Sequence, residues 1–176
     1  GNDDEADCQL CVEGKYSTTP AATLPGTCLP CIAGKYSSSQ GNSREEDCDD
    51  CEAGKYSGTP SATSEQTCDD CAAGKYSSDK GNTQANDCVL CDRGTWSSAT
   101  GAAGIETCQD CPQGTWLAST GKTSESDCVA CSSGKYSSTP GAISSGACLS
   151  CPKGKYLPTD GNDAVDDCKL CSTGKY

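Results

Sequence analysis

Residues 68–91 read CDDCAAGKYSSDKGNTQANDCVLC. Two Cys-x-x-Cys pairs bracket this stretch, with Gly74 three residues after the first pair, an aromatic at Tyr76 and a second glycine at Gly81. Moving outward in either direction, the same pattern returns every twenty residues without a slip. The cysteines stand at Cys8, Cys11, Cys28, Cys31, Cys48, Cys51, Cys68, Cys71, Cys88, Cys91, Cys108, Cys111, Cys128, Cys131, Cys148, Cys151, Cys168 and Cys171. The unit is C-x-x-C-x-x-G-[KT]-[YW]-[SL] followed by ten variable residues. Internal periodicity of this kind decides the architecture before any other signal.

Composition explains why cysteine must hold the chain. Leu, Ile and Val number 15 of 176 residues, Phe is absent, and the net charge is −12. Chains that charged, with fewer than roughly 20% large aliphatic and Phe side chains, do not bury a conventional core. Other classes fall away as well. An acidic chain does not suit the phosphates of nucleic acid. With no His there is no imidazole for acid–base or metal chemistry. No apolar run approaches the ~18 residues of a membrane span. No activated nucleophile or acid–base constellation is visible, so an enzyme is the weakest class.

The repeat dictates local structure. Gly14, Gly34, Gly54, Gly74, Gly94, Gly114, Gly134, Gly154 and Gly174 mark a turn that needs positive φ or close backbone approach. Two residues later comes the only aromatic of each unit: Tyr16, Tyr36, Tyr56, Tyr76, Trp96, Trp116, Tyr136, Tyr156 and Tyr176. A flat amphipathic ring in each unit is expected to pack on the bridge sulfurs. The residues around it suit a very short strand. No unit has a 3.6-residue apolar pattern, so no helix is expected. The fold class is therefore small and disulfide-rich, mostly irregular with very short β-strands, arranged as an elongated tandem-repeat rod.

The units divide as 1–7, the end of a preceding repeat; then 8–27, 28–47, 48–67, 68–87, 88–107, 108–127, 128–147 and 148–167; then 168–176, the start of a ninth. Gly1 is not an initiator Met, no signal segment precedes the first unit, and no capping repeat closes the series. The expectation is an internal or processed stretch of a longer secreted array. A weaker 40-residue period lies over the first. Asp and Thr alternate before the Cys pairs (Asp47, Thr67, Asp87, Thr107, Asp127), and Gly-Asn recurs at 41–42, 81–82 and 161–162. This period suggests pairing of the units as 40-residue modules, either because neighbours sit in different environments or because a 40-residue unit was duplicated.

Three chemistries use such cysteines. Cys-x-x-Cys pairs at this spacing fit zinc, but the odd number of pairs, the missing His and the acidity oppose it. Redox Cys-x-x-Cys sites need a βαβ context that is absent. Disulfides fit best, since 18 of 176 residues exceeds the roughly 8–10% that marks a disulfide scaffold, and they imply an oxidising, extracellular compartment. Connectivity stays open. The 40-residue period favours four-Cys modules such as Cys8–Cys28 with Cys11–Cys31, closely followed by the shifted phase Cys28–Cys48 with Cys31–Cys51. A uniform ladder, Cys11–Cys28 then Cys31–Cys48, is the rival. Each bridge contributes roughly 3 kcal/mol. That is too little to order twenty residues alone, so hydrogen bonds and packing must supply the rest.

The motif and its spacing, in "CIAGKYSSSQGN…DC" and "CDDCAAGKYSSDKGN…DC", resemble the ephrin-receptor-like cysteine-rich repeats, of the broader tumour-necrosis-factor-receptor style. The long regular array looks especially like large surface proteins of algae and other protists. The resemblance implies an extracellular, non-enzymatic, elongated array. Receptor modules usually vary their spacing, and this chain never does.

Surface chemistry adds detail. Ser and Thr total 40, and Thr19, Thr59 and Thr139 precede Pro, as O-glycan acceptors often do. Acidic clusters at 45–52, 69–70 and 166–167 are compatible with weak, diffuse Ca2+ binding, though a solvated acidic face is the default and no other cofactor is implied. Lys15, Lys35, Lys55, Lys75, Lys135, Lys155 and Lys175 form a row that can pair with those acids. The reading is a structural segment of an extracellular filament, stalk or surface coat, mastigoneme- or fibril-like. Its partners are copies of itself, other filament or coat proteins and covalent glycans, with no nucleic acid and no membrane span. The alternative is an ectodomain fragment of a receptor or adhesion protein binding a protein or glycan, with the Trp96/Trp116 pair as the exception that builds a site.

Overall fold

In the computed structural model, residues 9–19 and 25–175 are described; Cys8, Tyr176 and the partial repeat 1–7 lie outside them. Each repeat folds by the same steps. After the second cysteine the chain reverses, as where the Lys35 amide donates to the Ile32 carbonyl at 3.1 Å. The third residue of that turn is Gly34 at φ +82°, a conformation open to glycine and costly for other residues. A two-residue strand follows, the loop ends in one three-residue 3-10 turn, and a second two-residue strand pairs back antiparallel.

Numbered in chain order, the strand pairs are β1 (Lys15–Tyr16) with β2 (Leu29–Pro30), β3 (Lys35–Tyr36) with β4 (Asp49–Asp50) and β5 (Lys55–Tyr56) with β6 (Asp69–Asp70). They continue with β7 (Lys75–Tyr76) and β8 (Val89–Leu90), β9 (Thr95–Trp96) and β10 (Gln109–Asp110), and β11 (Thr115–Trp116) and β12 (Val129–Ala130). The last are β13 (Lys135–Tyr136) with β14 (Leu149–Ser150) and β15 (Lys155–Tyr156) with β16 (Lys169–Leu170). The register is constant: Tyr36 faces Asp49, Trp96 faces Gln109 and Trp116 faces Val129. There is no α-helix among the described residues. The 3-10 turns, such as Glu45–Asp47 and Glu65–Thr67, are an element that the apolar pattern does not reveal, because a single turn has no apolar face to bury.

The bridges form a uniform ladder: Cys11–Cys28, Cys31–Cys48, Cys51–Cys68, Cys71–Cys88, Cys91–Cys108, Cys111–Cys128, Cys131–Cys148 and Cys151–Cys168. This corrects the expected first-to-third and second-to-fourth pairing. The reason is geometric. The two residues inside each Cys-x-x-Cys are the second strand of a hairpin, so its cysteines sit three apart on extended backbone. Side chains at odd separation on a strand point to opposite faces. Cys48 therefore turns back to Cys31 while Cys51 turns forward to Cys68. The expected modules would need both cysteines of a pair to face the same neighbour.

The chain divides into two compact units. The first comprises Gly1–Cys71, Tyr76–Val89 and Gly101–Gly104, and holds the four bridges from Cys11–Cys28 to Cys71–Cys88. The second comprises Ala72–Lys75, Leu90–Thr100 and Ile105–Tyr176, and holds the four from Cys91–Cys108 to Cys151–Cys168. In both units the deepest side chains are half-cystines and serines rather than rings. Cys31, Cys51, Cys71, Cys91 and Cys111 are fully buried, with Ser37, Ser57, Ser97 and Ser137 beside them at 1–2% exposure. Tyr16 clusters with Cys31 and Cys48, against the next bridge. The aromatics from Tyr36 to Tyr136 are half-buried, and Tyr156 is exposed.

Backbone hydrogen bonds join successive repeats in fixed register. In the first unit the Gly34 amide donates to the Ser57 carbonyl (2.7 Å), the Ser37 amide to Ala62 (3.0 Å), and the Ser61 amide to Cys31 (2.8 Å). In the second, Gly94 donates to Leu117 (2.9 Å), Leu117 to Ala142 (2.8 Å) and Gly121 to Cys91 (2.8 Å). Close approach reaches two repeats on. A Cβ at Gly74 would stand 2.5 Å from the Gly121 carbonyl oxygen, so that glycine is required for space as well as for φ.

Candidate functional site

The feature common to all repeats is the layer between them. Directly after the aromatics from Tyr36 to Tyr156 comes a buried residue: Ser37, Ser57, Ser77, Ser97 and Ser137, or Leu117 and Leu157; Ser17, after Tyr16, is half-buried. The hydroxyls of Ser37 and Ser77 meet a second-turn asparagine of their own loop, and there the 40-residue period acquires a cause. In alternate repeats an asparagine enters the layer. Asn82 donates its Nδ2 to Ser77 Oγ (3.0 Å), to the Asp79 carbonyl (2.8 Å) and to the Lys55 carbonyl of the preceding repeat (3.2 Å). Asn42 does the same with Ser37 Oγ, Ser39 and Lys15. In the intervening repeats the same place holds Ala62, Ala102 and Ala142, each buried. Where Leu replaces the serine the network contracts: Lys122 stands for Asn opposite Leu117, and Asn162 Nδ2 donates to Thr159 of its own loop.

The alternating residue before each Cys pair serves the 3-10 turn. Asp47 Oδ2 accepts from the amides of Ser43 (2.8 Å) and Arg44 (3.0 Å), and Asp87 Oδ2 from those of Thr83 (2.8 Å) and Gln84 (3.1 Å). The Ser43 amide and then that of Arg44 hold the Asp47 carboxyl below its ordinary range, and the Thr83 amide leads the same effect at Asp87. At Asp127 desolvation opposes the shift, but the Lys122 ammonium and the amides of Ser124 and Thr123 outweigh it. In the other phase Thr67 Oγ1 donates to the Ser64 carbonyl (2.7 Å). Asp and Thr are thus two local solutions to closing the same turn.

The outer surface carries what the layer excludes. Fourteen of the fifteen Leu, Ile and Val side chains lie in the described residues; only Leu117 and Leu157 are buried, and the other twelve are exposed. The lysine row engages acids where the cross-strand residue is Asp: Lys35 meets Asp50 at 2.7 Å and Lys55 meets Asp70 at 2.9 Å. The Asp70 carboxylate raises the Lys55 ammonium's affinity for its proton. Lys80 reaches Glu52 at 2.8 Å. Such exposed pairs are worth about 0–1 kcal/mol. Thr19, Thr59 and Thr139 are exposed on the loops.

Trp96 and Trp116 keep the common register, with Trp96 half-buried and its Nε1 shielded from solvent without a hydrogen-bond partner. The threonines that replace lysine before them close the turn, Thr95 Oγ1 donating to Asp92 (2.8 Å) and Thr115 Oγ1 to Pro112 (2.7 Å). The sixteen bridged cysteines offer no thiolate to zinc, and Cys171 is unbridged. Among the described residues no cluster of His, Cys, Asp or Glu is arranged to hold a metal ion, and no helix is long and apolar enough to cross a membrane.

Two ingredients of this layer escape a reading that looks for chemistry. The buried serine belongs to the motif, and Asn42 and Asn82 read as turn residues. The signal that reveals the asparagines is the 40-residue rhythm that Asn42, Asn82 and Asn162 share with Asp47, Asp87 and Asp167.

Residues 74–128 match the family described as tyrosine-protein kinase ephrin type A/B receptor-like. No curated protein matches the chain. The family match over residues 74–128 and the regular disulfide ladder together support a likeness to ephrin-receptor-like cysteine-rich repeats.

Two tests follow from the layer and the caps. Asn82→Ala removes a buried donor and leaves Ser77 Oγ without it; a loss of about 1–2 kcal/mol is expected. Amide hydrogen exchange at the Ser57 and Ser77 amides would register it, whereas Ala62→Gly would leave those hydrogen bonds in place. The Asp caps have folded-state pKa values below the unfolded one. Their stabilisation is therefore present above the unfolded pKa and lost as pH falls through the folded values. Melting temperature should hold at neutral pH and decline once pH drops below ~4. A variant with Asp47, Asp87 and Asp127 changed to Asn should melt lower at neutral pH and show a shallower acid decline.

Proposed function

We propose that this segment is a non-catalytic structural element of an extracellular assembly, a disulfide-laddered array that forms part of a filament, stalk or coat. The observation that carries the reading is uniformity. From Gly14 to Gly134 the same amide donates to the carbonyl 23 residues on, at 2.7–3.0 Å in every repeat. A module built around one ligand needs a repeat that departs from the rest. The Trp96 and Trp116 repeats are the natural place for such a departure, yet both retain the register and the turn.

The outer surface supports the same reading. Twelve exposed aliphatic side chains on a chain so poor in them are a resource for contact with copies of itself or with other coat proteins. The exposed Thr59 and Thr139 hydroxyls, each followed by Pro, suit covalent glycans. Eight disulfides require an oxidising compartment, which fits the cell surface or the secreted space. A receptor or adhesion ectodomain is the second reading, favoured by the family resemblance of residues 74–128.

Truncations of two, four, six and eight bridged loops, imaged as isolated particles, separate the two. A structural array gives a contour length that increases linearly with loop number. Length that stops growing, together with saturable glycan or protein binding lost in Trp96→Ala and Trp116→Ala, would establish the ectodomain instead.

A further inference from the structure

We propose that the ladder makes the chain an inextensible, load-bearing tether, in which tension runs through disulfides and Cys-x-x-Cys strands and bypasses the loops. The inference rests on the structural reading above and concerns what the array does under force.

The covalent paths show why. Every bridge joins the second cysteine of one pair to the first of the next, 17 residues on, so each loop is short-circuited at its base. The loop holds the turn glycine, the aromatic strand, the buried serine and the 3-10 turn. Force applied along the chain crosses the bridge, a Cα–Cα distance of 5.6–5.9 Å, and enters the next Cys-x-x-Cys. That linker is three peptide steps long and can span at most about 11 Å. One repeat therefore cannot exceed about 17 Å while its bridge holds, against about 70 Å for twenty unbridged residues.

The linkers are also already drawn out. Cys48 (φ −88°, ψ 116°), Cys68 (φ −86°, ψ 109°) and Cys128 (φ −72°, ψ 121°) are extended, and the two residues after each form a strand. Each strand is clamped to its loop by the following cysteine, as where the Cys51 amide donates to the Gly34 carbonyl at 2.8 Å. Each linker by itself has little slack to give before its own covalent limit. The modules expected from the 40-residue period would behave otherwise. Between Cys31 and Cys48 they would leave 17 residues unbridged, adding about 60 Å of slack to each module. The observed register removes that slack everywhere.

Single-molecule force spectroscopy on the whole oxidised chain, held by handles at both ends, tests this. The span from Cys11 to Cys168 should reach a limit near 125 Å with no unfolding steps that release a loop, and about 565 Å after reduction. That is a gain of roughly fourfold to fivefold. Under constant force a dithiol gives two electrons and two protons to each bridge and closes to its own disulfide, so eight steps of about 55 Å are expected. Replacing Cys91 and Cys108 together by Ser should transfer one such step to the unreduced chain. This outcome does not depend on whether the altered loop still folds, because the limit is covalent. Extension of the oxidised wild-type chain well beyond about 17 Å per repeat would overturn the tether. The assembly reading would survive that failure, since the truncation micrographs decide it separately.

Discussion

Two cysteines three residues apart on an extended strand point to opposite sides of it. Everything regular about this molecule follows from that constraint. The strand inside each Cys-x-x-Cys is held by hairpin pairing, as Tyr36 with Asp49 and Trp116 with Val129. One sulfur reaches the loop behind and the other the loop ahead. Successive loops become links of a chain. The fully buried half-cystines at Cys31 to Cys111 then stand where a larger protein would place leucine and phenylalanine.

With the bridges supplying the interior, the layer between repeats is filled mainly by small residues, Leu117 and Leu157 being the large ones. Serine and alanine fill it, and asparagine enters where a buried serine can accept its Nδ2. The choice is made in alternate repeats and is accompanied by Asp or Thr at the 3-10 turn. Two chemically different repeats are thereby stacked in one backbone register. Among the described residues the other aliphatic side chains are left on the outside, and only Leu117 and Leu157 are buried.

Much of this was legible in the residues. The twenty-residue ruler, the turn glycines and the scarcity of Leu, Ile and Val lead directly to a disulfide-rich fold with very short strands. Connectivity was not legible. The 40-residue period of Asn42, Asn82, Asp47 and Asp87 looks like a period of bridging, when it is a period of hydrogen bonding. A sequence pattern reports that alternate repeats differ and is silent on which interaction differs. The aromatics are the bulkiest residue of each unit, and Tyr16 packs beside half-cystines as expected, while the rings from Tyr36 to Tyr136 stay half-open to solvent. The smaller serine beside them occupies the interior.

The ladder itself is most directly tested by digesting the denatured, unreduced protein with trypsin. Cleavage after Lys35, Arg44, Lys55, Lys75, Arg93, Lys122, Lys135 and Lys155 cuts every bridged loop between Cys31 and Cys168. With each loop bridged at its own base, all the cysteine-containing fragments from Cys11 to Cys168 remain one covalent species by mass until a reductant is added, and only cysteine-free loop peptides such as 36–44 come away. Release of separate four-cysteine fragments before reduction would show that neighbouring pairs are bridged as closed modules, and the ladder would be wrong.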